Sequence, residues 1–231
     1  MRDNQLKKPG VVYIIRIHVQ LLILAAAYFI AAGSFNIWRA WLYFGIAAVT
    51  YFVSSLILLK YNPGLINERA GERENTKSWD KVLLSLYLLI GFLGTHIVAG
   101  LDRRFGWSRM DMIYMIPGAV LYIAAAFIQT ISMLANKYFE TTVRIQRDRA
   151  QQVVKDGPYK IVRHPGYASV ILSFAAIPFM IGSLYALTCT AAVFIIMVTR
   201  TALEDKMLQK ELPGYSQYAK EVKFRLFPGI W

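Results

Sequence analysis

Cysteine is almost absent from this chain, and its scarcity excludes two kinds of protein. The single residue Cys189 can form neither an internal disulfide framework nor a cysteine-rich metal site. It lies in an apolar run, where we expect it to be a small buried hydrophobic residue. The three histidines, His18, His96 and His164, are scattered without the spacing of metal ligands, so the sequence predicts no metal site.

Acidic residues are also scarce. The 231 residues include 14 Asp and Glu against 26 Lys and Arg, which gives a net charge of +12. A nucleic-acid-binding domain would gather this charge on one soluble face, but here it falls between apolar segments, so we predict no nucleic-acid partner. With 56% hydrophobic residues and a mean hydropathy of +0.40, the composition is typical of a polytopic membrane protein.

Long polar stretches are few, and apolar runs of bilayer-spanning length take their place. Four such runs lie at 11–32, 37–59, 82–100 and 112–135. Residues 166–199 are mostly apolar too, and they are barely enough for two crossings. We therefore expect them to form a tight hairpin of two short or partly inserted helices that turn at Gly182 and Ser183.

The predicted fold is all-α: a polytopic membrane protein of about five to six transmembrane helices in one domain, 1–231. Residues 1–135 would supply four helices and 136–231 the functional half. Lys and Arg are in excess in the N-terminal arm and in segments 60–81, 136–165 and 200–231. This excess predicts that both termini are cytoplasmic, although three arginines in the connector 101–111 count against it.

One short segment is unusually dense in special residues. It reads Gly157-Pro-Tyr-Lys-Ile-Val-Arg-His-Pro-Gly-Tyr167 and directly precedes an apolar run. Because each X-Pro step disfavours the helical region, it should form a stiff, irregular loop at the start of a membrane helix. A simple interfacial turn with a basic anchor is the alternative, since Tyr and Arg are common at membrane interfaces.

A second polar group follows the last apolar run. Arg200 and Glu204 are four residues apart on a predicted helix and therefore share a face. They could be an ordinary helix-end ion pair that stabilises by a few tenths of a kcal/mol. However, Arg200 lies near the bilayer boundary, where a charge is costly enough to suggest a function.

The two groups together resemble the signatures of the isoprenylcysteine carboxyl methyltransferases, which are related to the phospholipid N-methyltransferases. The first signature is the loop 157–167. The second comprises Arg200, Glu204, Asp205, Tyr215, Tyr218 and Pro228. The resemblance covers about 150–231 and does not identify the substrate. It implies an integral membrane enzyme that uses S-adenosylmethionine bound by a cytoplasmic loop and tail.

The residues suggest how such a cofactor would be held. Arg163 and His164 could meet its carboxylate through charge-assisted hydrogen bonds. Aromatic side chains could face its adenine or its sulfonium, since cations favour aromatic faces. The aromatic candidates are Tyr159, Tyr167, Tyr215 and Tyr218. The resemblance implies cofactor contact for His164, Tyr167 and Tyr215.

The resemblance also implies that Arg200 and Glu204 lie where the methyl acceptor enters. A carboxylate acceptor, such as that of a prenylated cysteine, needs no base, so Arg200 would position it. An amine or thiol needs proton removal, for which Glu204 is the candidate base. Family members often carry Glu-Glu where this chain has Glu204-Asp205, which leaves the role of Asp205 open.

The sequence therefore predicts a membrane methyltransferase with a lipidic or amphipathic acceptor, and leaves the acceptor and the oligomeric state open. The alternative is a non-enzymatic transporter or lipid-binding scaffold that keeps the loop for packing. Transporters often have Gly- or Pro-broken spans in corresponding halves. Here the irregular segments lie outside the predicted spans, which favours the enzyme.

Overall fold

The computed structural model describes residues 5–70 and 75–231, and this part of the chain is helical without strands. Its α-helices are α1 (Lys8–Ala32), α2 (Trp38–Tyr61), α3 (Pro63–Arg69), α4 (Ser78–Leu86), α5 (Thr95–Phe105), α6 (Met115–Ala135), α7 (Pro165–Ile181), α8 (Ala186–Glu211) and α9 (Tyr215–Glu221). A π-helical stretch, Tyr87–Gly94, joins α4 to α5 in one continuous helix. Such stretches are rare and frequently occur at functional sites.

Five helices are long and apolar enough to cross a membrane. They are α1, α2, the continuous helix Ser78–Phe105, the segment Met112–Ala135 and α8. Their buried faces pack around one apolar core that includes Tyr28, Tyr43, Phe174 and Met197. Cys189 is buried as expected. The prediction of an all-α, multi-pass membrane protein is confirmed.

The predicted hairpin forms, but its two helices are unequal. Helix α7 has 17 residues and is followed by Gly182, at the turn that the sequence predicted, with a left-handed φ of 87°. Helix α8 has 26 residues and is not short, which corrects that expectation. The reason is that its polar second half stays helical by burying Met207 and Leu208 against the C-terminal tail.

One arginine fixes the hairpin turn from the side. Arg39 of α2 donates to the carbonyls of Phe179 at 2.6 Å and Met180 at 2.9 Å, near the end of α7, and to that of Met110 at 2.7 Å. The Phe179 and Met180 carbonyls lie in the last turn of α7, where a helix has no partners of its own. The turn between α7 and α8 is therefore tied to α2 and, through Met110, to the connector 101–111.

At the opposite end of the bundle the basic segments meet. The Lys7 amide donates to Asn67 at 2.9 Å, and the Lys77 amide donates to the Val143 carbonyl at 3.1 Å. Lys77 also pairs with Glu211 of α8 at 2.9 Å. We call this end, formed by 5–8, 60–70, 75–81, 136–165 and 200–231, the loop end. These are the segments that the charge count assigned to one side of the membrane.

Candidate functional site

The loop 157–167 has the irregular form that its prolines predict. Residues Gly157–Lys160 make a 3₁₀ turn, and Pro165 begins α7, where its missing N–H leaves no helical bond unmade. The amides of Arg163 and His164 donate to the carbonyls of Phe224 at 3.0 Å and Arg225 at 2.9 Å. The loop is thus held by the C-terminal tail.

A single carboxylate, that of Asp205, joins the loop to α8, α9 and the tail. Only 1% of Asp205 is exposed. It accepts hydrogen bonds from Arg163 at 2.7 and 3.1 Å, from the Tyr215 hydroxyl at 3.0 Å and from Arg225 at 3.0 Å. His164 Nε2 lies 3.3 Å from it. The role that the sequence left open for Asp205 is therefore to organise the site.

Arg163 donates its hydrogen bonds to groups of the protein itself. Its Nη1 also donates to the carbonyls of Val222 at 2.6 Å and Lys223 at 2.9 Å. Burial alone would lower the pKa of Arg163, but the hydrogen bonds and charge of Asp205 outweigh it and raise that pKa. Burial, and then the charge of Asp205, raise the pKa of Tyr215, so its hydroxyl stays a donor.

Tyr167 lies between the two polar residues of α8 that the sequence singled out. Its hydroxyl donates a short hydrogen bond to the Glu204 carboxylate. The Arg200 guanidinium lies 5.2 Å from the centre of its ring, within cation–π range. The His164 ring is nearly parallel to it, at a centroid distance of 5.8 Å. Arg200 and Glu204 thus share a helix face, as predicted, and both reach Tyr167.

Arg200 forms its ion pair with Asp80, a residue of α4. Its Nε and Nη2 lie 2.6 and 3.2 Å from the Asp80 oxygens, and Nη2 also donates to the Thr141 carbonyl. Asp80 is completely buried and accepts a further bond from the Val143 amide at 2.7 Å. An Arg200–Glu204 helix-end pair is therefore not what occupies this guanidinium.

Sequence reasoning did not single out Asp80, because it lies in the segment 60–81, of which only the basic residues were considered. The signal was present, because an acid one turn into a membrane helix needs a buried cation as its partner. Nothing in the spacing could indicate that this cation comes from a residue 120 positions later.

Two cavities meet at the loop end. The first, the polar cavity, encloses about 120 Å³ and is open on one side. It is lined by Tyr159, Arg163, His164, Tyr167, Glu204 and Tyr215 among the predicted site residues. It is also lined by Asn136, Gln151 and Gln152, which sequence reasoning had passed over because only basic residues were considered in that segment.

The second, the apolar cavity, encloses about 760 Å³ between α1, α2, the Ser78–Phe105 helix, α6 and α7. Arg200 lines this cavity and not the polar one, whereas Glu204 lines the polar one. Tyr167 lines both, as do Gly166, Phe139, Glu140 and Thr142. The two cavities are therefore neighbours, separated by the first turn of α7 and the segment 139–142.

Tyr218 is the predicted site residue that lines neither cavity. It is 1% exposed, and its hydroxyl donates to the Tyr159 carbonyl at 2.7 Å. Tyr159 in turn accepts from Asn136 at 3.1 Å, and burial raises its pKa. Tyr218 of α9 thus holds the 3₁₀ turn Gly157–Lys160 in place through this hydrogen bond.

Comparison with known proteins gives two matches. Residues 113–213 match the phospholipid methyltransferase family. The uncharacterized protein YpbQ of Bacillus subtilis (strain 168) is 39% identical over 61 residues, which are 26% of this chain and 36% of that protein. The chain therefore spans well under half the length of this relative. The family match includes the loop 157–167 and the Arg200–Asp205 group, so the predicted resemblance is confirmed: this part of the chain is similar to the phospholipid methyltransferases.

Proposed function

We propose that this protein is an S-adenosylmethionine-dependent methyltransferase whose acceptor carries an apolar chain and reacts at the loop end. The observation that carries the proposal is that Tyr167 lines both the polar and the apolar cavity. A cofactor on one side and a lipidic acceptor on the other would meet beside this residue. The family match supports methyl transfer as the chemistry.

The residues of the polar cavity fit the cofactor chemically. Its aromatic lining, which includes Tyr159, Tyr167 and Tyr215, suits an adenine ring and a sulfonium. Glu204 can accept from hydroxyl or ammonium groups, and Gln151 and nearby amide side chains can donate to a carboxylate. The enclosed volume is below the roughly 300–1,000 Å³ of pockets that bury drug-sized ligands, so the open mouth would hold part of the molecule.

When bound, S-adenosylmethionine supplies a methyl group on a positively charged sulfur, which an acceptor atom takes by in-line displacement. The chain contributes alignment and exclusion of water rather than a covalent intermediate. Glu204 accepts from the Tyr167 hydroxyl and Arg200 lies against its ring, and these contacts would hold Tyr167 in place for this step.

Arg200 is the group that can hold the acceptor. Asp80 and the Thr141 carbonyl fix its Nε and Nη2, whereas its Nη1 donates to none of the described residues. A carboxylate acceptor, such as that of a prenylated cysteine, would be oriented by this remaining donor. For an amine or thiol, the proton would leave through the Tyr167 hydroxyl to Glu204, because Glu204 does not line the acceptor cavity.

Methyl transfer from radiolabelled S-adenosylmethionine into a total lipid extract tests the proposal. We expect the purified protein to move label into the organic phase and to bind both the cofactor and its demethylated product in calorimetry. Absence of cofactor binding by folded protein at millimolar concentration would end the methyltransferase assignment.

A variant makes this test specific to the site. His164→Ala removes a ring that lines the polar cavity and stacks on Tyr167, so cofactor binding should weaken while the protein stays folded. His18→Ala is the matched control, because His18 lies on α1 and lines neither cavity.

A further inference from the structure

We infer that the apolar cavity holds one long chain of the methyl acceptor at a time, and that Tyr43 and His96 form the floor that sets the length of that chain. The inference rests on the proposed function for the identity of the occupant as acceptor. The floor itself follows from the shape and the packing of the bundle.

The cavity is long in the direction of the helices. Its lining runs from Leu58 to Tyr43 on α2 and from Lys81 to His96 on the Ser78–Phe105 helix. Each stretch corresponds to about 22 Å at the helical rise. This exceeds half of the roughly 30 Å hydrocarbon core of a bilayer, and the volume of about 760 Å³ falls in the range of ligand pockets. A narrow, deep space of this kind suits one extended chain.

The end farthest from the loop end is closed by a hydrogen-bonded pair. The Tyr43 hydroxyl lies 3.0 Å from His96 Nε2, and His96 Nδ1 lies 2.6 Å from the Phe92 carbonyl. Because a carbonyl only accepts, Nδ1 carries the hydrogen and Nε2 accepts from Tyr43. The pair joins α2 to α5, as the interhelical role expected of a membrane histidine requires.

Below this pair the bundle is filled. Tyr28, Ala40, Ala99 and Met180 all have 0% exposure and do not line the cavity. Gly100 lies so close to α1 that an added Cβ would sit 2.6 Å from the Tyr28 carbonyl oxygen. A chain therefore cannot pass Tyr43 and His96 without displacing packed helices.

Several polar side chains of the wall are hydrogen-bonded within the protein. Ser54 and Thr130 lie 2.8 Å apart, and Thr130 donates to the Ala126 carbonyl at 2.8 Å. The Ser169 hydroxyl lies within hydrogen-bonding distance of both Gln129 and the Gly166 carbonyl. The buried hydroxyl of Thr142, which lines both cavities, has no partner among the described residues. Along Ser54, Thr130 and Ser169 the wall can therefore accept an apolar chain without losing hydrogen bonds.

Exposed residues of the lining mark the opening. Arg16 of α1, and Lys81 and Leu88 of the Ser78–Phe105 helix, line the cavity and are exposed. The opening therefore lies between the loop-end halves of these two helices. A chain that enters there from the membrane leaves its head beside the basic rim and Arg200.

Photolabelling measures the depth that a chain reaches without depending on methyl transfer. The probes are straight-chain fatty acids of increasing length with a diazirine on the terminal carbon, added to the protein in lipid nanodiscs. Labelled residues are mapped by mass spectrometry. We expect short probes to label near Thr130, probes of matching length to label Tyr43 and His96, and longer probes to label less. Excess unlabelled fatty acid of matching length should compete.

Two variants on α6 make the test specific. The ring of Tyr122 lies 6.1 Å from that of Tyr43, at the level of the floor, and Ala126 lines the cavity one turn closer to the loop end. Ala126→Phe should therefore abolish labelling of His96 and shorten the best probe by about four carbons, one helical turn of about 5.4 Å. Ala124→Phe is the matched control, because Ala124 is exposed and does not line the cavity. In this variant the probes should label the same residues, with the same dependence on length, as in the wild type.

A third variant acts in the opposite direction. Tyr43→Ala should allow longer probes, provided that thermal unfolding shows a folded protein. Labelling that does not depend on length, or that changes equally in Ala126→Phe and Ala124→Phe, would overturn the inference. If length-dependent labelling is found but the protein does not bind S-adenosylmethionine, the floor stands and the proposed function fails. If the protein binds S-adenosylmethionine but labelling does not depend on probe length, the proposed function stands and the inference about the floor is wrong.

Discussion

Among single residues, Asp80 is a fully buried carboxylate between Arg200 and the Val143 amide. A buried ion pair adds little net stability over an apolar pair of the same shape, but removal of one partner leaves the other charge uncompensated. Asp80 therefore fixes the position of Arg200 in the wall of the apolar cavity, and under the proposed function it would be a positioning residue for the group that holds the acceptor.

We expect Asp80→Ala to lower the free energy of unfolding by about 3–5 kcal/mol, because Arg200 is then buried without its partner. The double variant Asp80→Ala with Arg200→Met should recover part of this loss. The measurement is thermal or denaturant unfolding in detergent. The control is Lys155→Ala, whose pair with Glu221 is exposed to solvent and should contribute far less to stability. Equal effects of Asp80→Ala and Lys155→Ala would contradict the assignment.

Arg200 and Glu204 should separate in their functional effects, since each lines a different cavity. Glu204→Gln removes a charged acceptor from the polar cavity and should weaken cofactor binding by about 10-fold or more. Arg200→Lys keeps a charge for Asp80 but loses the planar fork, so it should lower turnover and leave cofactor affinity nearly unchanged. For each variant, calorimetry measures cofactor affinity and a methyl-transfer assay measures turnover. Unchanged cofactor affinity in Glu204→Gln would contradict this division of roles.

At the scale of elements, the site depends on segments that are tied at both ends of the bundle. Asp205 joins the loop 157–167 to α8 and the tail, and Arg39 fixes the turn between α7 and α8 at the other end. Because α7 and α8 carry Tyr167, Arg200 and Glu204, their relative position sets the geometry at the meeting point of the cavities.

The turn at Gly182 allows a direct test of this coupling. An added Cβ there would sit 2.6 Å from Cζ of Arg39, and the residue also has a left-handed φ of 87°. Gly182→Ala should cost about 3 kcal/mol or more, since it strains the backbone and displaces Arg39 from its carbonyls. Gly106 ends α5 with a φ of 64° and no atom within 4 Å of an added Cβ, so Gly106→Ala should cost about 1–2 kcal/mol. Thermal unfolding compares the two, and equal losses would exclude the role of Arg39.

For the whole molecule, the structure gathers the basic segments at the loop end, and the charge bias predicts that this end faces the cytoplasm. In a Cys189→Ser background, Lys155→Cys and Gln217→Cys should react with an impermeant thiol reagent only from the cytoplasmic side. Ser34→Cys, at the end of α1 away from the loop end, should react only from the other side. Labelling of Lys155→Cys from outside would overturn both the predicted orientation and the proposal that a cytosolic cofactor enters the polar cavity from this end.

The sequence by itself determined the membrane-spanning helices and part of the lining of the polar cavity. Apolar runs of bilayer-spanning length predicted the helices, and Gly182 predicted the hairpin turn, because both depend on local chain chemistry. The order of residues in the loop 157–167 and in the Arg200–Asp205 group predicted the family resemblance. Six of the predicted site residues line one cavity.

Only the tertiary structure decided which side chains face each other. In the folded protein Arg200 forms an ion pair with Asp80 rather than with Glu204, and Asp205 joins the loop 157–167 to α8. Tyr167 lies between the two cavities. The tertiary structure also closed the apolar cavity with Tyr43 and His96, which are 53 positions apart in the chain. These facts depend on the rotation and depth of each helix within the bundle. Packing against neighbouring helices sets the rotation and the depth, and neither can be predicted from the periodicity of a single apolar helix.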